Sequence, residues 1–407
     1  MKPVLFVTGH APAYRVAAFK QLHEREDVEY ALFGGRLAHG GGPTAEELPF
    51  PHRLLPEHTL KGVPQVGAQA RELYGLAASG RYRAVVVSTG GRIALPSAWA
   101  GARRARVPVI LWASLWAHPR STAHTLSYPA LLRLYRSADA IVTYGPHVSA
   151  YVQARGARRI QVAPQAVDNA FWSSPEAGIP NDPRWPTGAA VKFLFAGRPA
   201  REKGLGVLEE AWSMSGLQAP TAALVLVGAG STPPWVPAGG AVARLEHAGT
   251  AGAGGAGSFE QSGSVARLDS VARLDSVARF EQVSQVQLRN FYEASDVLVV
   301  PSIPTRTFRE PWGLVANEAM NRGLPVIASD AVGAAAGGLV KDERNGLVVP
   351  AGDAVALAAA LRRLARDPAL VARLGAAARK DVAGYTHDAW AEGFSRALAD
   401  VGQSGGR

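Results

Sequence analysis

None of the 407 residues is cysteine, which excludes a disulfide framework, a thiolate metal site and a cysteine nucleophile, and makes a reducing, cytoplasmic setting the expectation. Long apolar runs are also missing. The amino end offers only residues 3–7, too short for the apolar core of a secretion signal, and no later run reaches the ~20 residues that cross a bilayer. Charged residues are modest at 19%, against 47% hydrophobic, with 44 Gly and 28 Pro. That balance fits a loop-connected globular protein and argues against wholesale disorder. At roughly 150 residues per domain, the length predicts two or three domains.

Negative charge is scarce in one half only. Residues 1–185 hold 21 Lys and Arg against 12 Asp and Glu, whereas residues 186–407 hold 22 against 21, so the first half carries nearly all of the net +10. A one-sided basic bias points to an anionic partner for that half, or to a merely solvated basic surface. Nucleic acid is not expected despite the high isoelectric point, because no basic stripe interleaved with aromatics and no recognised motif accompanies the charge.

Short apolar runs bounded by Gly or Pro alternate with amphipathic stretches. In the first half, strands are expected at 4–7, 30–33, 84–88, 108–112, 140–144 and 160–163, with helices over 14–25 and 126–136. In the second half, strands are expected at 192–196, 224–227, 297–300, 325–328 and 346–349, with helices over 354–366, 369–383 and 387–401. Strand–helix alternation predicts mostly parallel sheets covered on both faces, so the fold class is α/β with two doubly wound Rossmann-like domains. The expected division is 1–168, a Pro-rich linker over 169–188, a second domain over 189–383, and a last helix from 384 crossing back to the first domain. Residues 248–263 are nearly all Gly, Ala and Ser, and three hexapeptide copies follow from Ser264, Ser270 and Ser276. A six-residue unit is too short for a solenoid repeat, so a mobile, non-catalytic insertion is expected.

The segment with most chemical content is Arg309-Glu310-Pro311-Trp312-Gly313-Leu314-Val315-Ala316-Asn317-Glu318, two carboxylates separated by seven residues. Pro311 and Gly313 suit a loop entering a helix, placing Glu310 before it and Glu318 about two turns along. A surface helix residue and a dipole-favoured carboxylate would account for an isolated pair. Here, however, Gly197-Arg198-Pro199-Ala200-Arg201-Glu202-Lys203-Gly204 follows an apolar strand and has the character of a phosphate clamp. Arg198 offers a forked donor set, Lys203 a point charge, and the Gly-bounded turn leaves backbone N–H groups open to an anion. A second strand end, Gly228-Ala229-Gly230, lets a ligand approach the backbone.

Taken in order, these residues, with Phe291-Tyr292 through Ser295-Asp296 to Pro301-Ser302 and with Asn345-Gly346-Leu347, resemble the retaining family-4 glycosyltransferases (glycosyl transferases group 1) of GT-B architecture, which have an interdomain cleft. The resemblance is looser in the first half, where Gly9 to Arg15, Ala138-Asp139-Ala140 and Ile160-Gln161-Val162 to Val167-Asp168 carry it. It implies that Arg198 and Lys203 hold the diphosphate of a nucleotide-sugar, that Glu318 accepts hydrogen bonds from the ribose, and that Glu310 holds donor-sugar hydroxyls. It also implies that the backbone at Gly313, Leu314 and Val315 faces phosphate oxygens, so that no metal and no separate cofactor is required. Gly9, Gly197, Gly228 and Gly230 would line the donor site, and His118 would lie near the donor sugar, with His124 and His10 as rivals. Attack on the face left by the departing phosphate, which acts as base, would retain the anomeric configuration without a side-chain nucleophile. Paired carboxylates alone would also suit a retaining glycosidase, but the adjacent basic clamp favours transfer from a diphosphate. The family's Gly-Gly-x-x-Glu is Val332-Gly333-Ala334-Ala335-Ala336 here, so no role passes to that Glu.

A hexosyltransferase-type enzyme acting on a glycan or lipid-linked acceptor, in cell-envelope or polysaccharide synthesis, is expected, with an epimerase, a phosphorylase or a silent binding module as alternatives. Arg103, Arg104 and Arg106 beside Trp99, with Arg133 and Arg136, are the candidates for docking on an anionic inner-membrane face.

Overall fold

The computed structural model describes residues 2–34, 48–55, 63–91, 93–175, 178, 180, 182–229 and 276–403. The expected insertion at 248–275 and Gly230 lie outside the described residues. The chain forms two compact units, one of residues 1–169 with 384–407 and the other of residues 170–383.

The first unit carries a seven-stranded, wholly parallel sheet in the order β3-β2-β1-β4-β5-β6-β7. Its strands are β1 Val4–Thr8, β2 Val28–Leu32, β3 His52–Leu54, β4 Ala84–Ser88, β5 Val109–Ala113, β6 Ala140–Thr143 and β7 Ile160–Val162. Side chains alternate across a strand. In β1, Val4 and Phe6 therefore enter a core with Phe19, Tyr30, Trp112, Trp390 and Phe394, while Leu5 and Val7 enter the opposite core with Leu73, Val85, Ala98 and Leu111. Burial on both faces explains the continuous apolar strands. The terminal helix His387–Gly402 buries Trp390, Phe394, Ala397, Leu398 and Val401, a helical stripe, and packs Trp390 and Phe394 on Phe19 and Phe6 with ring centroids 5.6 and 5.3 Å apart.

The second unit holds a six-stranded parallel sheet ordered β10-β9-β8-β11-β12-β13, from β8 Val191–Ala196, β9 Ala222–Val227, β10 Val277–Phe280, β11 Val297–Val300, β12 Val326–Ser329 and β13 Gly346–Val349. Phe193, Leu224, Val297 and Ile327 share one core with Leu208 and Trp212 of helix Leu205–Ser215 and with Leu357, Leu361 and Leu364 of helix Ala354–Arg366. Among the described residues, no helix is long and apolar enough to cross a membrane.

Several elements differ from the sequence expectation. The strand expected from Pro325 begins at Val326, because Pro325 has no N–H for the ladder and contributes only its carbonyl, which accepts from Leu298 N–H at 3.0 Å. Strand Val277–Phe280, not among the strands expected from the apolar runs, lies inside the third hexapeptide copy and pairs Val277 with Leu224. Residues 170–188, the expected linker, pack within the second unit, where buried Trp172 and Trp185 meet Tyr292 and Phe291, each at 5.6 Å. Helices Val63–Ala78 and Ala94–Ala105 are not among the predicted elements; the second buries Ala94, Ala98, Gly101 and Ala102 with Leu95, mostly small residues that give a weak periodic signal. A Cβ on Gly101 would lie 2.5 Å from the Tyr74 carbonyl, so the two backbones nearly touch.

Candidate functional site

The second sheet is wound in opposite directions from β8 and β11, its two central neighbours. In open parallel sheets, ligands bind beyond the carboxyl ends of the strands where the winding reverses. Both motif loops leave from those ends, residues 197–204 after β8 and residues 301–314 after β11. Gly204 makes their approach possible: its φ is +69°, and a Cβ there would sit 1.9 Å from the Pro301 carbonyl oxygen. The Ile303 N–H donates to the Glu202 carbonyl at 2.9 Å, completing the clasp.

Lys203 ends a short 3-10 turn, Arg201–Lys203, and its Nζ lies 2.6 Å from Glu310 Oε2. Glu310 is only 7% exposed, and the Ser302 hydroxyl also points to Oε2 at 3.5 Å. The Ser329 hydroxyl in turn donates to the Ser302 carbonyl. A buried carboxylate is tolerable here because a cation and a hydroxyl converge on it. Its backbone is equally constrained. Gly333 N–H donates to the Glu310 carbonyl at 3.1 Å and Ala334 N–H to the Trp312 carbonyl at 2.7 Å, while a Cβ on Gly333 would meet the Pro311 carbonyl at 1.9 Å. Thus Gly333, in the segment that lacks the family's Glu, holds the Glu310 loop in place.

Trp312 is buried, with its indole N–H donating to Asn317 Oδ1 at 2.7 Å across the loop-to-helix junction. Helix Val315–Asn321 has no side-chain cap at Leu314 and carries Glu318 in its first turn. The half-buried Glu318 accepts from the Tyr292 hydroxyl at 2.8 Å. Burial pushes the Glu318 carboxyl up to about 7, with the Tyr292 hydroxyl partly opposing it. Burial, and then the Glu318 charge, likewise pushes the Tyr292 phenol well above its ordinary range. Tyr292 is the site residue the sequence reading left without a role; its only signal was membership of the Phe291-Tyr292 motif.

The structure therefore brings Lys203 and Glu310 into contact, and places Glu318 on the next helix with Tyr292. Arg198 is exposed and pairs with Glu202 at 2.7 Å rather than with Glu310. Gly197 and Gly228 end β8 and β9 side by side; a Cβ on Gly228, whose φ is +77°, would lie 2.9 Å from the Gly197 carbonyl. Gly313 has φ +91° and packs against Val332. Among the described residues, no three His, Asp or Glu side chains cluster as a metal site.

In the first unit, Gly9 follows β1 and its carbonyl accepts the Gly34 N–H at 2.8 Å, just before helix Ala13–Glu26. Arg15 in that helix is buried among Tyr14, Trp112, Tyr144 and Trp390 and donates to Gln165. His118 lies in the loop after β5. Its Nε2 faces the His124 carbonyl at 3.1 Å, which requires the Nε2–H form, and its ring packs on Tyr128 at 4.4 Å. Its Nδ1 is buried and has no hydrogen-bond partner among the described residues.

Residues 186–381 match the model of the family described as glycosyl transferases group 1. A D-inositol 3-phosphate glycosyltransferase of Streptomyces avermitilis is 42% identical over 120 residues, 29% of this chain and 23% of that protein. The corresponding Corynebacterium diphtheriae protein is 36% identical over 118 residues, 28% of this chain and 25% of the relative. The aligned stretch thus spans about a quarter of the length of these curated relatives. Among solved structures, Anabaena HepE in complex with UDP and glucose aligns with a TM-score of 0.67 at 17% identity, over 98% of this chain and 100% of that one. Sucrose-phosphate synthase from Thermosynechococcus elongatus aligns with a TM-score of 0.68 at 21% identity, over 99% and 100%. Residues 186–381 are thus similar to the glycosyl transferases group 1 family, and the chain shares its fold with GT-B glycosyltransferases.

Proposed function

We propose that the protein is a retaining, metal-independent glycosyltransferase that moves a sugar from a nucleotide-diphosphate-sugar to a glycan or lipid-linked acceptor. The observation that carries this reading is the Lys203–Glu310 contact at the carboxyl ends of β8 and β11, where the sheet reverses its winding. A lysine ammonium held beside a sugar-binding carboxylate can turn to an incoming diphosphate and offset the charge that develops as the leaving group departs. Arg198, tethered only at the surface by Glu202, supplies a second cation to the same phosphates. Glu318 accepts the ribose hydroxyls, and its raised proton affinity means that donor binding expels a proton from it near neutrality. Gly197, Gly228 and Gly313 with Leu314 and Val315 let phosphate oxygens approach the backbone. The UDP and glucose held by the Anabaena neighbour support a nucleotide-sugar donor.

The first unit would bind the acceptor, with Gly9 in its first loop and His118 in the loop after β5 as the residues assigned to that side. Its excess of Arg and Lys suits a phosphate-bearing acceptor or an anionic inner-membrane face, with a cytoplasmic, cell-envelope setting. Arg103, stacked 4.4 Å over Trp99, and Arg104, Arg106, Arg133 and Arg136 are the docking candidates. The test is turnover: the protein is incubated with a panel of nucleotide-sugars, and free nucleoside diphosphate and glycosylated acceptor are measured. Acceptor-dependent release of the diphosphate supports transfer, and tight donor binding with no turnover refutes it in favour of a binding module.

A further inference from the structure

Helix Val315–Asn321, which carries Glu318 near its amino end, stops at Arg322, and beside that carboxyl end lies an open pocket of about 500 Å³. It is lined by Arg322, Arg379 and Lys380, with Gly323, Gly375 and Ala376 as a floor of little side-chain bulk. Seven helical residues at ~1.5 Å each separate it from the donor loops, so it is a different place from the site above.

The cations are held rather than splayed into solvent. Arg379 Nη2 donates to the Arg322 carbonyl at 2.9 Å, and Arg322 donates to the Ser174 carbonyl and pairs with Glu293. The Arg322 side chain is only 5% exposed, and among the described residues its Nε has no hydrogen-bond partner. Buried charges are normally fully paired. Here burial first, and then Arg379 and Arg289, hold the Arg322 guanidinium below its ordinary range. A cation at a helix carboxyl end is favourable and accounts for Arg379, but it accounts neither for Lys380 nor for Arg322 on an open cavity with no carboxylate among its lining residues.

The geometry points to a second anion site in which Arg322, Arg379 and Lys380 hold a phosphate group, either free or on a phospholipid headgroup. The pocket volume falls in the range of small-ligand sites, and the forked Arg donors with a Lys point charge are the chemistry that selects phosphate.

The test uses Arg379→Ser/Lys380→Ser, both exposed positions, and Lys203→Ala as the control that disables the donor clamp. Inorganic phosphate and pyrophosphate are titrated calorimetrically into each protein at fixed ionic strength, and sedimentation with phosphatidylglycerol vesicles is compared with phosphatidylcholine vesicles. Phosphate or anionic-vesicle binding that survives Lys203→Ala and weakens at least tenfold in the double variant supports the site, and the arm that responds identifies the source. Binding lost with Lys203→Ala, binding unchanged in the double variant, or no binding to any probe overturns it. Melting curves of the double variant confirm that it is folded, since neither side chain is buried.

Discussion

Replacing Lys203 with Ala leaves Glu310 as a carboxylate whose side chain is 9% exposed and whose cation is gone; the Lys203 side chain is itself 23% exposed. Breaking a fully buried pair costs about 3–5 kcal/mol, and a hydrogen bond to a charged group contributes about 1.5–3 kcal/mol. Because water reaches Lys203, the lower range applies, about 2 kcal/mol. For a unit of this size that is a fall of about 4–8 °C in melting temperature. The catalytic loss should be larger, because a preorganised charge at a developing anion is worth about 10²–10³-fold in rate. The informative comparison is Lys203→Ala/Glu310→Gln, which removes the stranded charge as well as the cation. It should recover most of the lost stability in a denaturant titration while nucleoside diphosphate release stays at or below the single-variant level. A double variant no more stable than the single, or turnover that returns together with stability, would refute the role given to Lys203.

Further outcomes follow from the neighbouring groups. The folded Glu318 carboxyl titrates at about 7, above its ordinary value of 4.5, so the fold prefers it protonated; its contribution to stability is greatest below the ordinary value and is lost as pH rises through about 7. Ribose hydroxyls need the ionised form, so nucleoside diphosphate affinity, followed by calorimetry, should fall as pH drops below about 7, and Glu318→Gln should flatten that dependence. Tyr292→Phe removes the hydrogen bond that lowers the Glu318 titration, so the midpoint of the same profile should move to higher pH; an unmoved midpoint would show that the 2.8 Å contact is not what tunes it. Gly204→Ala forces a side chain to 1.9 Å from the Pro301 carbonyl at φ +69°, and a loss of about 2–4 kcal/mol is expected in denaturant unfolding, with an unchanged midpoint contradicting the clasp.

Much of the scaffold was legible because parallel strands buried on both faces write themselves as apolar runs: 84–88, 297–300, 346–349 and helix 354–366 match the structure residue for residue. Helices with small-residue faces, such as Ala94–Ala105, gave a weak periodic signal because Ala and Gly at the contact let backbones close up instead of side chains. At the site, residue types and spacing singled out Glu310, Lys203 and Glu318. They did not reveal which cation meets which carboxylate: Arg198 and Lys203 are five positions apart, yet only the latter lies at the Gly204 clasp that brings β8 and β11 loops together. Tyr292, Ser302 and Gly333 act through partners distant in sequence, which no local pattern records.

A crystal structure with a nucleoside diphosphate bound decides whether Lys203 and Glu318 hold the donor. Phosphate oxygens are expected within hydrogen-bond reach of Lys203 Nζ and ribose hydroxyls on the Glu318 carboxylate, with the Lys203–Glu310 contact loosened or shared. A nucleotide seated elsewhere, with Lys203 and Glu318 untouched, would contradict it.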